Sequence, residues 1–275
     1  MVATTTQVGQ IAGELGGDAI ALTTLLQPGA EAHDFELTPD AARAVERADV
    51  ILKSGAGLES WLDDALQTIG GADRVRDMSR GVPLRTIEED GREETDPHYW
   101  LSGPKAILMV NNVRDALVAV VPESADDIRA RADAYIERLQ SADAEVRRLV
   151  AEIPEDRRGI VTNHDALGYF IDEYGLRFVG SVFPAIDVSA EPDPAQLADM
   201  ADTIRAAGVA AIFSESAVNP RLAEAIAADT GARVVDDVLY TDSLGPPGSD
   251  GQTVDGMLLH DARVIHDALA ADVGG

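Results

Sequence analysis

The sequence predicts an α/β protein of two Rossmann-like lobes, each built on a mostly parallel sheet, joined by one long helix. Three observations predict it. Short β-type runs alternate with amphipathic stretches over the first 121 residues, and the alternation resumes after Pro154. Between them runs SADDIRARADAYIERLQSADAEVRRLVAEI, Ser124 to Ile153, without glycine or proline. Strands that alternate with helices form one parallel sheet with crossover helices on its faces. The expected division is an N-terminal lobe over 1–121, a linking helix over 122–154 and a C-terminal lobe over 155–275.

Each element follows from local chemistry. In the first lobe Val2–Thr5, Ile20–Leu25 and Val50–Lys53 read as strands, and Gln7–Leu15 and Leu58–Ile69 as helices. Thr38 is placed to cap a further helix through Arg47, with Pro39 at its first position, where the missing N–H costs nothing. In the central segment Ile128, Tyr135, Ile136, Leu139, Val146, Leu149 and Val150 recur at helical spacing. Pro122 and Pro154 bound it. Thirty helical residues span roughly 45 Å, enough to connect two lobes; a surface coiled-coil arm is the other reading. In the second lobe Gly159–Thr162, Phe178–Phe183, Val209–Phe213 and Arg233–Val235 read as strands. The helices there are Ala166–Tyr174, Pro194–Ala207 opened by Asp193, Pro220–Asp229 capped by Asn219, and Val254–Leu269. The acidic EEDGREETD, Glu88 to Asp96, and the segment Gly245 to Gly251 read as solvated loops.

Charge excludes some functions. With 22 basic and 49 acidic residues the net charge is −27, a surface that repels nucleic acid and anionic lipid. Adaptation to high salt, as in a halophile, explains such an excess. Steering of cations is a weaker explanation, because molar salt shortens the screening length to about 3 Å. There is no cysteine, hence no disulfide, no thiolate metal site and no cysteine nucleophile. No apolar run is long enough to span a bilayer. Met1 leads directly into the first strand, which fits a cytoplasmic chain or one trimmed of an export signal.

Five histidines are present. His33 in LQPGAEAHDFELTP, His98 in DPHYWLSGP and His164 after GIVTN all sit where a strand hands over to a helix. In open parallel sheets these loops line the ligand crevice. A single loop histidine is usually an ordinary surface residue; three at equivalent topological positions point to a shared metal. Imidazole suits zinc, copper, iron and nickel, and three imidazoles leave one corner of a tetrahedron to fill. Asp242 in VLYTDSLGPPG lies at the corresponding edge of the second half, though by spacing it is one carboxylate among many. His260 and His266, six apart in the last helix, do not share a face and read as ordinary helical residues.

Several phrases in succession then carry a resemblance: VATTTQVGQIAGELGGD, LLQPGAEAHDFELTPDAARAVERADVILKSGAGLESWL, DPHYWLSGPKAILMVNNV, NHDALGYFIDEYGL and VLYTDSLGPPGSDGQTVDGMLLHDARVIHDAL. Over nearly its whole length the chain resembles the metal-specific solute-binding proteins of zinc and manganese ABC transporters. The resemblance implies that His33, His98, His164 and Asp242 are the metal ligands, with the ion between two lobes bridged by one helix. It implies a monomer that delivers Zn²⁺, or alternatively Mn²⁺, to a membrane permease from outside the cytoplasm, without enzymatic turnover. Relatives are commonly held at the membrane by a lipid on an N-terminal cysteine; this sequence has no such cysteine, which implies that segment lay upstream.

Histidine at the third ligand position favours zinc, as does the Irving–Williams order. The acidic Glu88–Asp96 stretch departs from the histidine-rich loop of zinc-specific relatives. Glu59 and Trp61 in GLESWL match a motif near the cleft, where Glu59 would offer an alternative oxygen ligand. Glu215 is placed to orient a ligand histidine. Binding is expected to weaken below roughly pH 6 as the histidines protonate, with only modest lobe closure. The alternative function is a zinc hydrolase with three histidines and an open water position. Neither an H-E-x-x-H helix nor a G-x-S-x-G elbow is present to support it. A surface adhesin of the same fold would share the site and need a further binding face.

Overall fold

The structure, a computed structural model, describes residues 1–89, 92–183, 193–209, 211–218 and 220–270. In the first half β1 (Val2–Ala3), β2 (Thr23–Thr24), β3 (Ile51–Lys53) and β4 (Val75–Asp77) form one sheet in the order β2-β1-β3-β4, every pair parallel. The helices α1 (Thr6–Gly16), α2 (Pro39–Arg47) and α3 (Ser60–Ile69) connect them. In the second half β7 (Gly159–Thr162) pairs in parallel with β8 (Arg177–Ser181), and β9 (Ala211–Ile212) with β10 (Arg233–Val234). A parallel bridge from Thr162 to Phe213 joins the pairs, giving β8-β7-β9-β10. The two halves thus repeat one strand order, and α6 (Gly168–Tyr174), α7 (Pro194–Ala207) and α8 (Arg221–Thr230) are the second set of helices.

β7 spans Gly159–Thr162 as the sequence predicts, while other strands are shorter, and for β1 the reason lies at its carboxyl end. Thr5 accepts a hydrogen bond from Val8 N and caps α1, so β1 stops at Ala3. Where a strand must turn into a helix over the sheet edge, a cap competes with the ladder and wins. Capping elsewhere follows expectation. Thr38 accepts from Ala41 N with Pro39 at the first position of α2. Asp193 and Gln196 form a reciprocal capping box on α7, which Gly208 closes in the left-handed conformation. The Asn219 cap predicted for α8 lies outside the described residues.

Glu88–Asp96 is not the expected loop. Residues Thr86–Glu89 (β5) and Arg92–Thr95 (β6) pair antiparallel, Thr86 opposite Thr95 and Glu89 opposite Arg92. Glutamates are poor strand formers, which hides the hairpin from a propensity reading. The sequence signal that could reveal it is Asp90-Gly91, a dipeptide common at hairpin connections.

After a helix over Gly103–Val120 (α4), the long helix runs Ala125–Glu152 (α5), within a residue of the predicted limits at each end. Its 28 residues measure about 42 Å. The last helix, α9 (Val254–Ala270), packs along it. The main core joins α1, α4, α5 and α9 through Ile11, Met109, Val113, Tyr135, Leu139 and Leu258. A smaller core, with Val161, Ile204, Ile212 and Ile226, lies between the second sheet and α7 and α8. So α9, the last element in sequence, shares the core of α1 and α4. No helix among the described residues is long and apolar enough to cross a membrane.

Leu139 is fully buried where α5 meets its neighbours. Leu139→Ala is expected to cost about 2–5 kcal/mol, read as a shift in the denaturant midpoint at unchanged slope.

Candidate metal centre

Four side chains converge where loops leave the carboxyl ends of the strands. His33 lies between β2 and α2; His98 opens a helical turn, Tyr99–Leu101, ahead of α4; His164 follows β7; Asp242 lies between β10 and α9. Each offers a ligand atom, and these atoms all lie within 4.8 Å of one another. His98 Nε2 is 3.1 Å from His33 Nε2 and 2.9 Å from Asp242 Oδ1. His33 Nε2 lies 3.6 Å from Asp242 Oδ1, and His164 Nε2 lies 3.2 Å from Asp242 Oδ2. A tetrahedral zinc with bonds of about 2.0–2.1 Å sets its ligand atoms about 3.3 Å apart. These four separations, 2.9–3.6 Å, bracket that value, and all the ligand atoms lie within 4.8 Å of one another.

The hydrogen bonding points the same way. His164 Nε2 and Asp242 Oδ2 are close, yet neither makes a properly directed hydrogen bond, and both are buried. Two imidazole nitrogens at the His33–His98 distance can share at most one proton between them. A cation among all four satisfies every lone pair at once. Three of the side chains are shut from solvent, while that of His33 keeps 12% exposure. His33 also lines a cleft of about 510 Å³ with Leu58, Leu84, Glu93, Glu94 and Pro97.

A second ring of residues fixes the first. Asp96 Oδ1 accepts from both His98 N and His98 Nδ1, at 3.0 and 2.9 Å, leaving Nε2 to face the centre. Arg85 Nη1 holds the other Asp96 oxygen at 2.8 Å. Glu215 Oε1 accepts from His164 N at 3.0 Å, and its Oε2 lies 2.8 Å from His164 Nδ1 and accepts from Thr241 Oγ1 at 2.8 Å. The Asp242 loop is gripped from the first half as well. Trp100 Nε1 and Gln7 Nε2 both donate to Thr241 O, Leu244 N donates to Thr6 Oγ1, and Gly29 N donates to Ser243 Oγ. Trp61 Nε1 donates to Ala32 O, which steadies the His33 loop.

Glu215 thus stands against His164, where the sequence places it to orient a histidine, and Trp61 holds the His33 loop, a role the sequence does not assign. Glu59 does not reach the cluster. Its oxygens accept from Thr4 Oγ1, Ser54 N and Gly55 N, and burial pushes its carboxyl up to about 7. It braces the turn after β3, where Gly55 has φ +82° and an added Cβ would lie 1.8 Å from Asp77 Oδ1. His266 sits at the surface between Asp267 and Glu152. Asp96 is the functional residue that the sequence reading passes over. The signal is the spacing D-P-H, in which a carboxylate two residues before a histidine can reach its ring.

The protonation of the centre follows from its charges. Burial alone would lower His98, but the Asp242 and Asp96 carboxylates overcome it and raise the imidazole to about 9. His164 is likewise raised against its burial by the charges of Glu215 and Asp242. Asp242 is held well below the usual carboxylate range, its burial outweighed by the His164 charge and the three imidazoles. Asp96 is lowered too, burial being outweighed by His98 and Arg85.

A parallel α/β scaffold that gathers three imidazoles and one carboxylate around a common point, all but His33 buried, fits a metal-binding protein of the solute-capturing type. The chain belongs to the family described as the periplasmic component A of the zinc-uptake complex, whose model matches residues 1–268. It is 31% identical over 274 residues to the manganese-binding lipoprotein MntA of Bacillus subtilis, covering 98% of this chain and 89% of that protein. It is 32% identical to the iron-binding protein YfeA of Yersinia pestis, covering 89% and 78%. Among solved structures, the periplasmic zinc-binding protein TroA of Treponema pallidum superposes with a TM-score of 0.91 at 26% identity, covering 98% of each chain.

Two outcomes follow from this geometry. In the metal-free protein the stability that His98 contributes is complete below its unfolded value and is lost as pH rises through about 9. That of Asp96 and Asp242 is present above the ordinary carboxylate value and lost in acid. Metal-free stability should therefore peak between about pH 4 and 6.5 and fall by about 3 kcal/mol toward pH 10, measured by urea unfolding with chelator present. Removing the brace on His164, by Glu215→Ala, should weaken metal binding about 10–100-fold in a competition titration.

Proposed function

We propose that this chain captures one divalent transition-metal ion with His33, His98, His164 and Asp242 and delivers it, outside the cytoplasm, to the permease of an ABC importer. The observation that carries the reading is the convergence of those four ligand atoms within 4.8 Å in a buried pocket. The site lies between an N-terminal lobe over 1–121 and a C-terminal lobe over 155–275, tied by the helix within 122–154. The working form is a monomer at the cell surface.

Zinc is the favoured cargo, with manganese the alternative. Three imidazoles and one carboxylate make a borderline donor set that prefers zinc, whereas manganese suits oxygen-rich sites. The relatives named above are described as binding manganese, iron or zinc, so the scaffold serves several ions. The donor set of this chain is the argument for zinc. A hydrolase would need a water at the fourth corner, the place that Asp242 takes, and those relatives are binding proteins. Protons and metal compete for the same nitrogens. With His98 raised to about 9, affinity should climb with pH across the neutral range and not only below pH 6.

The decisive experiment is elemental analysis of protein purified without chelator, with zinc and manganese titrations against a competing dye. One equivalent of zinc and tighter zinc than manganese binding are expected. His98→Ala and Asp242→Ala should each weaken zinc by at least about a hundredfold, and His266→Ala should leave it unchanged. Wild-type affinity in both ligand variants would overturn the reading.

A further inference from the structure

Asp242 stands on a loop whose first part, Val238–Tyr240, is held from both edges. One edge of that segment runs along the second half: Leu239 N donates to Ser214 O and Ser216 N to Leu239 O, flanking Glu215. The other edge faces α9, where two consecutive side chains take over the role of a neighbouring strand. His260 Nε2 donates to Val238 O at 2.9 Å, and Asp261 Oδ1 accepts from Tyr240 N at 3.0 Å. The rings of His260 and Tyr240 lie 4.7 Å apart. Asp261 is wholly buried, and its second oxygen has no partner.

A buried carboxyl with one oxygen unpaired is costly, and apolar packing would replace it at no loss if only the core were at stake. What it supplies is an acceptor at a fixed height on α9. That acceptor sets the main chain two residues before Asp242 and one before Thr241, the donor to Glu215. We propose that Asp261, with His260 beside it, is a positioning residue for metal capture: the pair clamps Val238–Tyr240 to α9 and so aims the Asp242 carboxylate at the three imidazoles. The clamp ties the metal centre to α9, which packs along α5 in the main core. The sequence gives His260 an ordinary helical role; its bond to Val238 gives it another.

The inference rests on the metal-capture reading above, and the test separates the two. Wild-type protein is first titrated with zinc alone; absence of binding there sinks the functional reading, not the clamp. Asp261→Leu removes the acceptor, and a zinc affinity at least tenfold weaker, through faster release, is expected. Asp261→Asn keeps an oxygen toward Tyr240 N and should restore affinity to within twofold. Leu258→Ala, buried on the same helix, serves as a control matched for lost thermal stability, and it should bind zinc nearly as wild type does. If Asp261→Leu fails to fold, His260→Ala and His260→Gln decide. The first should weaken zinc about threefold, and the second, which retains a donor of similar reach, should restore it. Equal losses in Asp261→Leu and Leu258→Ala, or no rescue by the conservative variants, would overturn the proposal.

Discussion

The structure turns on one buried charge. Asp242 is shut from water, and an isolated carboxylate in such a place is not tolerated without partners. Three imidazoles surround it, two of them backed by carboxylates of their own, Asp96 and Glu215. The result is an alternation of acid and base in which each group fixes the proton of the next. In the metal-free state protons on His98 and His164 balance the negative charge. On the proposed reading, a dication bound there would displace them and leave the charge of the pocket nearly unchanged. Exchange of protons for metal at almost constant charge lets one lining serve both states.

The topology explains why the four residues can meet. Both halves lay the four strands of their main sheet in the same order and parallel, so both present loops at one edge. The threonines that follow β1 are used up in that edge: Thr4 reaches Glu59, Thr5 pairs with Ser54 and caps α1, and Thr6 receives Leu244 N. A run that looks like strand sequence is therefore partly a set of hydroxyl braces. Its neighbour Gln7 extends the brace to Thr241 O, next to Asp242. The first residues of the chain and the loop before its last helix are thus one structural unit.

What the sequence made legible follows the same physics. The long helix could be read because its apolar period and bounding prolines are local signals, and its ends fall where those signals stop. Three ligand candidates could be read because histidine is rare here and each lies at a strand-to-helix junction. Asp242 could not be found by spacing, since it is one of 49 acidic residues; only its motif singled it out. Asp96 was hidden for the same reason, inside an acidic run that reads as solvated. The β5–β6 hairpin was masked by glutamates, whose strand pairing depends on cross-strand partners that propensity does not carry. β1 is shorter than its sequence suggests because the Thr5 cap on α1, invisible to periodicity, ends the strand early.

The hydrogen bonds around Asp242 also decide where the cost of capture falls. Its loop is bonded to Gln7, Thr6 and Trp100 from the first half and to Glu215 from the second. His98 is oriented by Asp96 on a turn with no exposed side-chain surface. A preassembled set of donors spares the chain entropy that a disordered site would lose on binding. The remaining costs are stripping water from the ion and driving off the imidazole protons. Both depend on the identity of the metal and on pH, not on the mobility of the chain. Selectivity in such a site is then a property of donor chemistry held at fixed spacing, and His33 is the one of the four side chains with a solvent-facing edge.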